Sequence, residues 1–233
     1  SEMCIRDRVG IALFPDVGGS WFLNHMPGKS GHFLALTGAS INAADAIYTG
    51  LADRFISSRH KEAVVEQLRQ QAYTGDREAD HTLVRHVLRR FAAQSIGNCP
   101  AGQVEPHMGT IGRLCDGDDV HEVIDNIIGQ QTEDQWLARA RDSLERGSRL
   151  AALWIERQLY ETRHASLKEV FQAEIQLATN VVRHPEFAEG VRALLIDKDL
   201  NPAWQYQRSR AVPQDLLDSF FIAPWDENPL ADL

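Results

Sequence analysis

Cysteine is scarce in this sequence, and the few cysteines present form no recognisable framework. Only three occur among 233 residues, at positions 4, 99 and 115. An odd number at irregular spacing argues against a disulfide scaffold and against a cysteine zinc site. A reducing compartment suits such a set, and we therefore expect a cytoplasmic location.

Basic charge is also in the minority, and long apolar runs are missing. Lys and Arg number 24 against 33 Asp and Glu, which gives a formal net charge of -9. Such a chain is not expected to bind nucleic acid or an anionic membrane, and a polyanionic ligand would need a local basic pocket. No apolar run approaches the roughly 20 residues of a membrane-spanning helix. We predict a soluble globular protein with no nucleic-acid partner and no membrane partner.

Common catalytic motifs are missing as well. The histidine pairs His25/His32 and His81/His86 are seven and five residues apart, and no His-Glu-x-x-His occurs. They therefore lack the i, i+4 geometry of a zinc helix. Ser20 is not part of the Gly-x-Ser-x-Gly elbow of a serine hydrolase. We predict no metal site and no cofactor.

What the sequence does contain is a strong helical pattern. Apolar residues recur at i, i+3 and i+4 spacing over most of the chain after residue 58, and 43% of the residues are hydrophobic. Thr132 with Gln135, and Ser166 with Glu169, have the spacing of a capping box at a helix start. About ten helices and almost no alternating strands are predicted, so the expected fold class is predominantly α.

The segment from Val9 to Ser20 is different in kind, because a short apolar run meets a Gly/Pro turn and then a helix. Side chains at such a junction often lie at the floor of a pocket. Asp16 could cap the following helix or could be a functional carboxylate. Gly18 and Gly19 could permit a tight turn or a close approach of backbone to a ligand. Trp21 could belong to the core or could wall an acyl pocket.

The run Phe-Pro-Asp-Val-Gly-Gly-Ser at 14–20 is followed by Leu-Thr-Gly at 36–38, Ala-Ala-Asp-Ala at 43–46 and Gly-Leu-Ala at 50–52. This series resembles the active-site region of the crotonase superfamily, in the form found in the 3-hydroxyisobutyryl-CoA hydrolase branch. The run from Glu189 to Asp199, with Pro202 and Trp204, is similar to the carboxyl-terminal signature of the same branch. The resemblance covers residue 9 to the end.

The resemblance implies roles for several residues. Hydratases of the superfamily have glycine at the position of Asp16, so a carboxylate there implies hydrolysis, with Asp16 as the catalytic residue. Gly18, Gly19 and Trp21 are the expected acyl-binding residues. Lys198 matches the signature lysine and is a candidate for the phosphates of coenzyme A. Arg192 is a weaker candidate; both cations could instead be solvated or pair with Asp197 or Asp199.

One position departs from the family pattern. The resembled branch has a glutamate eight residues before the aspartate, and this sequence has Arg8 there. Residues 1–8 match nothing in the family, so we predict a non-native leader and a carboxyl-terminal fragment whose oxyanion donors lie upstream, inactive by itself. Residues 9–56 are expected to be the last part of the crotonase ββα spiral, with short extended segments near 9–13 and 53–57. Residues 57–233 are expected to form a helical cap and arm.

Three functions remain open at this point. The first is an acyl-CoA thioester hydrolase acting on 3-hydroxyisobutyryl-CoA in valine breakdown, with the acyl-CoA as its small-molecule partner. The second is an enoyl-CoA hydratase or isomerase of the same superfamily. The third is a helical interaction module without catalysis. An exposed edge left by a missing core would also favour association into a homo-oligomer.

Overall fold

The structure is a computed structural model that describes residues 9–233, and every regular element within that range is helical. The predicted α class is therefore confirmed. The α-helices are α1 Gly19–Asn24, α2 Ser30–Thr37, α3 Ala43–Tyr48, α4 Lys61–Arg69, α5 Arg77–Ser95, α6 Val104–Leu114, α7 Val120–Gly129, α8 Gln135–Arg146, α9 Arg149–Thr162, α10 Leu167–Val181, α11 Pro185–Val191 and α12 Gln214–Ser219.

The short extended segments expected near 9–13 and 53–57 are not strands, and no ββα repeat is seen in the described residues. Val9–Ile11 forms a 3-10 turn, and Ala12 after it has a left-handed φ of 52°. A strand needs a neighbouring strand to complete its hydrogen bonds. Here the Val9 carbonyl instead accepts from the amides of Ala12 (3.3 Å) and Ser148 (3.0 Å).

The described chain divides into two compact units, and the larger comprises residues 9–40 and 107–233. Its centre is α9, which contacts α1, α2, α7, α10 and α12. Nine of the 14 residues of α9 are buried, which is typical of a helix surrounded by other helices. Ser148 begins this helix, because its Oγ accepts a hydrogen bond from the amide of Ala151 at 3.0 Å.

The smaller unit comprises residues 41–106 and contains α3, α4 and α5. Helices α4 and α5 pack together, and Val87 and Phe91 of α5 are buried. A fully buried carboxylate, Asp45, accepts the amides of Gln103 (2.6 Å) and Val104 (2.7 Å). A buried charge is stable only when its hydrogen bonds are made, so Asp45 joins the two ends of this unit.

The two predicted capping boxes have different outcomes. The box at Ser166 and Glu169 is present, with both reciprocal hydrogen bonds, and it begins α10. The box at Thr132 and Gln135 is wrong, because α8 begins at Gln135 and is capped by Asp134. The Asp134 carboxylate accepts the amides of the first turn, whereas the Thr132 hydroxyl accepts the amide of Asp134. The predicted division of the sequence at residue 57 stays a prediction about the resembled fold.

Candidate active site

Asp16 lies in a tight turn that connects a buried Phe-Pro pair to the start of α1. Phe14 and Pro15 before it are buried. After it, Val17 (φ 58°) and Gly18 (φ 78°) are both left-handed. A β-branched residue in this region is a strained outlier, at a cost of about 1–3 kcal/mol, and such outliers cluster at functional sites. Val17 is also 75% exposed, so its own side chain packs little against the fold.

The turn is fixed by a carboxylate from a distant helix. Glu174 of α10 accepts the amide of Gly18 at 2.7 Å through Oε2, and the amide (3.2 Å) and hydroxyl (3.0 Å) of Ser20 through Oε1. Glu174 is only 3% exposed. Burial raises the pKa of its carboxyl above the usual range, and the nearby negative charge of Asp16 acts in the same direction. Two carboxylates therefore meet at the start of α1.

Sequence reasoning missed Glu174, although a signal was present. The buried residues of α10 are Val170, Glu174, Leu177 and Val181, which follow one another at the three- and four-residue spacing of a core-facing stripe. Glutamate is almost never fully buried unless it is paired. A glutamate on the apolar stripe of a helix is therefore a sign of a buried partner.

Asp16 does not cap α1, in contrast to the alternative considered above. The N-cap residue is Gly18, which makes no side-chain capping bond. Glu174 instead accepts the amides that have no partner within the helix. The Asp16 carbonyl accepts the amide of Gly19 at 2.9 Å, which closes the turn. A Cβ at Gly18 would be 3.1 Å from Leu167 Cδ1, in addition to the strained φ. Glycine is thus required here by the turn itself, and the acyl-binding roles of Gly18 and Gly19 remain predictions.

Trp21 lies on the first turn of α1 and is only partly buried, so it is not a core residue. Its ring stacks on His25 with centroids 4.0 Å apart, and it meets Phe22 edge-on at 5.2 Å. Phe22 is 44% exposed. This aromatic group is at the surface close to the Asp16 turn, a place from which it could contact an acyl group. Its role in binding stays a prediction.

The two segments that resemble the crotonase signatures meet in space. A Cβ built on Gly190 of α11 would lie 2.5 Å from the carbonyl carbon and oxygen of Ile11. The backbone of the Ile11 region therefore rests directly on α11, and only glycine allows this approach. The same segment is also held to the start of α9, because the Ser148 amide donates to the Val9 carbonyl at 3.0 Å.

The carboxyl-terminal signature continues into a π-helical turn, Arg192–Ile196. The Arg192 guanidinium contacts three carboxylates, those of Glu189 (2.7 Å), Asp197 (2.6 Å) and Asp199 (2.7 Å). These contacts raise the pKa of Arg192. The hydrogen bonds from Arg192, with that of the Ala203 amide, lower the pKa of Glu189 to about 2. The alternative that Arg192 pairs with neighbouring aspartates is confirmed.

Lys198 follows this π-helical turn and is exposed, with a left-handed φ of 57°. Among the ion pairs within residues 9–233 none involves Lys198, and its neighbours Asp197 and Asp199 are paired with Arg192. The apolar residues Leu195 and Ile196, shortly before it in the sequence, are exposed as well. A role in binding phosphate stays a prediction.

Arg8, where the resembled branch has glutamate, lies outside the described residues, as does the rest of the predicted leader 1–8. Within residues 9–233, no group of three or more His, Cys, Asp or Glu side chains is arranged to hold a metal ion. No helix in that range has the length and apolar character needed to span a membrane.

Comparison with known proteins identifies relatives over nearly the whole chain. The human protein named 3-hydroxyisobutyryl-CoA hydrolase, mitochondrial, is 32% identical over 224 residues, which are 95% of this chain and 56% of the relative. The Rattus norvegicus protein of that name is 32% identical over 92% of this chain and 54% of its own length. The chain spans about half the length of these curated relatives.

Two solved structures are similar as well. A carnitinyl-CoA dehydratase from Mycobacterium thermoresistibile superposes with a TM-score of 0.78 and 25% identity, over 95% of this chain and 59% of that one. An enoyl-CoA hydratase from Rhodobacter sphaeroides 2.4.1 gives a TM-score of 0.72 and 27% identity, over 94% and 58%. The helical arrangement described above therefore occurs in enzymes of coenzyme A thioesters.

The cytoplasmic location expected from the cysteine content is wrong by this comparison, because the hydrolase relatives are named as mitochondrial proteins. Three scattered thiols indicate only a compartment in which cysteines stay reduced, and this property does not distinguish one such compartment from another. A family model described as "Enoyl-CoA hydratase/isomerase" matches residues 8–221. The chain therefore belongs to the enoyl-CoA hydratase/isomerase family of crotonase-like proteins, as its motifs predict.

Proposed function

We propose that the protein containing this chain hydrolyses the thioester of a short, branched 3-hydroxyacyl-CoA, with 3-hydroxyisobutyryl-CoA as the substrate. The observation on which the proposal depends is a carboxylate, Asp16, in a strained turn braced by Glu174. The names of the human and rat relatives, both 3-hydroxyisobutyryl-CoA hydrolases, support the choice of hydrolysis and of this acyl group.

In this proposal the Asp16 carboxylate acts on the thioester carbonyl carbon. It either attacks that carbon and expels the thiolate of coenzyme A, leaving an acyl-aspartyl anhydride that water then hydrolyses, or removes a proton from a water molecule that attacks the carbon and displaces the thiolate. Both routes release coenzyme A thiol and the free hydroxy acid. By resemblance to the family, the donors that stabilise the oxyanion and a second carboxylate would come from residues other than 9–233.

The coenzyme A part of the substrate is assigned to the region of Lys198. This lysine is exposed beside Leu195 and Ile196, which are 57% and 70% exposed. A flexible, exposed ammonium suits the phosphates of coenzyme A. Arg192 is not assigned to the ligand, because its guanidinium is already compensated by three carboxylates.

The proposal is tested by thiol release from 3-hydroxyisobutyryl-CoA, with the chain expressed behind the upstream sequence of its own reading frame. We expect turnover, and we expect Asp16→Asn to lower kcat at least about 100-fold, the usual range for loss of a nucleophile or base. The matched control is Asp116→Asn, which changes an exposed aspartate in the same unit and should leave kcat unchanged. Retained turnover in Asp16→Asn would remove Asp16 from the mechanism.

A second candidate is a hydratase or isomerase of the same family, and it is favoured by the two similar structures, a dehydratase and a hydratase. Hydration of an enoyl-CoA changes the absorbance of the conjugated thioester without releasing thiol, so the two reactions are separated by measuring both signals. Formation of hydroxyacyl-CoA without thiol would support the hydratase. A protein with neither activity and no affinity for coenzyme A would support the non-catalytic helical module.

A further inference from the structure

Glu174 is the most deeply buried carboxylate near the proposed site, and both of its oxygens are in use. One accepts the amide of Gly18, and the other accepts the amide and hydroxyl of Ser20. Only 3% of the surface of Glu174 is exposed, so the carboxylate is buried against the turn and not open to solvent. Glu174 is therefore expected to act on the reaction through the residues that it holds, in addition to the effect of its charge on Asp16.

Those residues determine where Asp16 points. Val17 and Gly18 are consecutive left-handed residues immediately after Asp16, and this conformation is unfavourable for valine. A strained turn persists only when its surroundings fix it from several sides. The Glu174 carboxylate supplies three hydrogen bonds on one side, and the Ser20 hydroxyl also reaches the Pro15 carbonyl at 3.4 Å. The turn is thus closed around Asp16 by contacts from α10.

We propose that Glu174 is a positioning residue for thioester hydrolysis, which sets the orientation of the Asp16 carboxylate by holding the Val17–Ser20 turn. This inference rests on the proposed function. It is distinct from a second catalytic carboxylate, because Glu174 does not contact the reacting atoms. Misplacement of a catalytic group by about 1 Å can cost on the order of 100-fold in rate, so a hydrogen-bonding change at Glu174 should appear in kcat.

The test is Glu174→Gln, which keeps the size of the side chain but leaves one acceptor oxygen where the carboxylate has two. In the full-length protein we expect kcat to fall about 10- to 100-fold, with KM for the acyl-CoA changed less than about twofold. Glu174→Asp keeps both oxygens on a shorter side chain and should recover part of kcat.

The matched control is Leu177→Ala on the same helix, which removes a side chain that is 1% exposed and makes no hydrogen bond to the turn. It should lower the melting temperature at least as much as Glu174→Gln, yet keep kcat within about twofold at a temperature where both variants are folded. Equal loss of kcat in both variants, or unchanged kcat in Glu174→Gln, would overturn the inference.

A second measurement separates this inference from the proposed function. If the wild-type protein releases no thiol from any acyl-CoA, the proposed function fails. The effect of Glu174 on the turn is then measured from the structure of a variant. A crystal structure of Glu174→Gln should have Val17 outside the left-handed region or the Asp16 carboxylate displaced by at least about 1 Å. An unchanged turn in that structure contradicts the inference regardless of activity.

Discussion

Gly190 offers the sharpest test of how the two signature segments are held together. A Cβ at this position would lie 2.5 Å from the carbonyl carbon and oxygen of Ile11, whereas ordinary contacts of a Cβ begin at 3.4 Å. The contacted atoms belong to the backbone and not to the end of a flexible side chain, so they cannot move away by a side-chain rotation. In Gly190→Ala, the Ile11 segment or α11 must therefore move by about 1 Å.

The expected cost follows from two opposing terms. Alanine is better than glycine within a helix by about 0.5–1 kcal/mol. Overpacking of a close contact costs about 1–3 kcal/mol. Because the clash is with backbone, the upper part of that range, about 2–3 kcal/mol, applies, and the net loss should be about 1–2.5 kcal/mol. This corresponds to a fall in melting temperature of roughly 2–10 °C for a chain of this size.

The assay is thermal unfolding followed by tryptophan fluorescence. All five tryptophans lie in the unit formed by residues 9–40 and 107–233, which also contains Gly190, so the signal reports on the affected unit. Gly109→Ala is the control, because a Cβ there meets nothing within 4 Å on the interior of α6. It should melt at or slightly above the wild-type temperature. If Gly190→Ala melts no lower than Gly109→Ala, the close contact with Ile11 is not what requires glycine.

Two further predictions concern the carboxyl-terminal signature. The pKa of Glu189 is lowered from 4.5 to about 2 chiefly by Arg192, so the stabilising effect of this pair is present above pH 4.5 and is lost as the pH falls toward 2. The difference in melting temperature between wild type and Arg192→Gln should therefore shrink between pH 4.5 and pH 2. A difference independent of pH would contradict the assignment. In steady-state kinetics, Lys198→Ala should raise KM for the acyl-CoA roughly two- to fivefold without changing KM for the matching pantetheine thioester, which lacks the nucleotide phosphates. Lys61→Ala is the control. Equal effects of Lys198→Ala on both substrates would remove Lys198 from phosphate binding.

The parts of the fold that depend on neighbours in sequence were predictable. The helical class follows from apolar spacing, and the start of α10 follows from the capping box at Ser166 and Glu169. Gly38 ends α2 in a left-handed conformation, as expected for a glycine after a helix. The start of α8 was misplaced because two oxygen-bearing residues, Thr132 and Asp134, compete for the cap, and spacing alone does not decide between them.

The candidate site depends on neighbours in space, and there the sequence is less informative. Asp16 could be singled out from its motif, but the left-handed Val17 runs against local preference, since β-branched residues avoid that region. Its conformation is imposed from outside by Glu174, about 155 residues further along the chain. A pattern of apolar spacing indicates which face of α10 is buried, but it does not indicate which loop that face meets.

This arrangement explains in physical terms why the two segments that resemble the crotonase signatures have the residues that they do. Gly190 lets α11 approach the backbone of Ile11, and Glu174 of the preceding helix holds the turn that follows Asp16. The position of the Asp16 carboxylate is thus determined by helices α10 and α11, which contribute no side chain to the reacting atoms in the proposed mechanism. Substitutions on these helices that remove a contact with residues 9–20 should therefore alter turnover, whereas substitutions elsewhere on them, as at Leu177, should not. The effects should be largest where the contact is made through backbone, as at Gly190, or through a buried charge, as at Glu174.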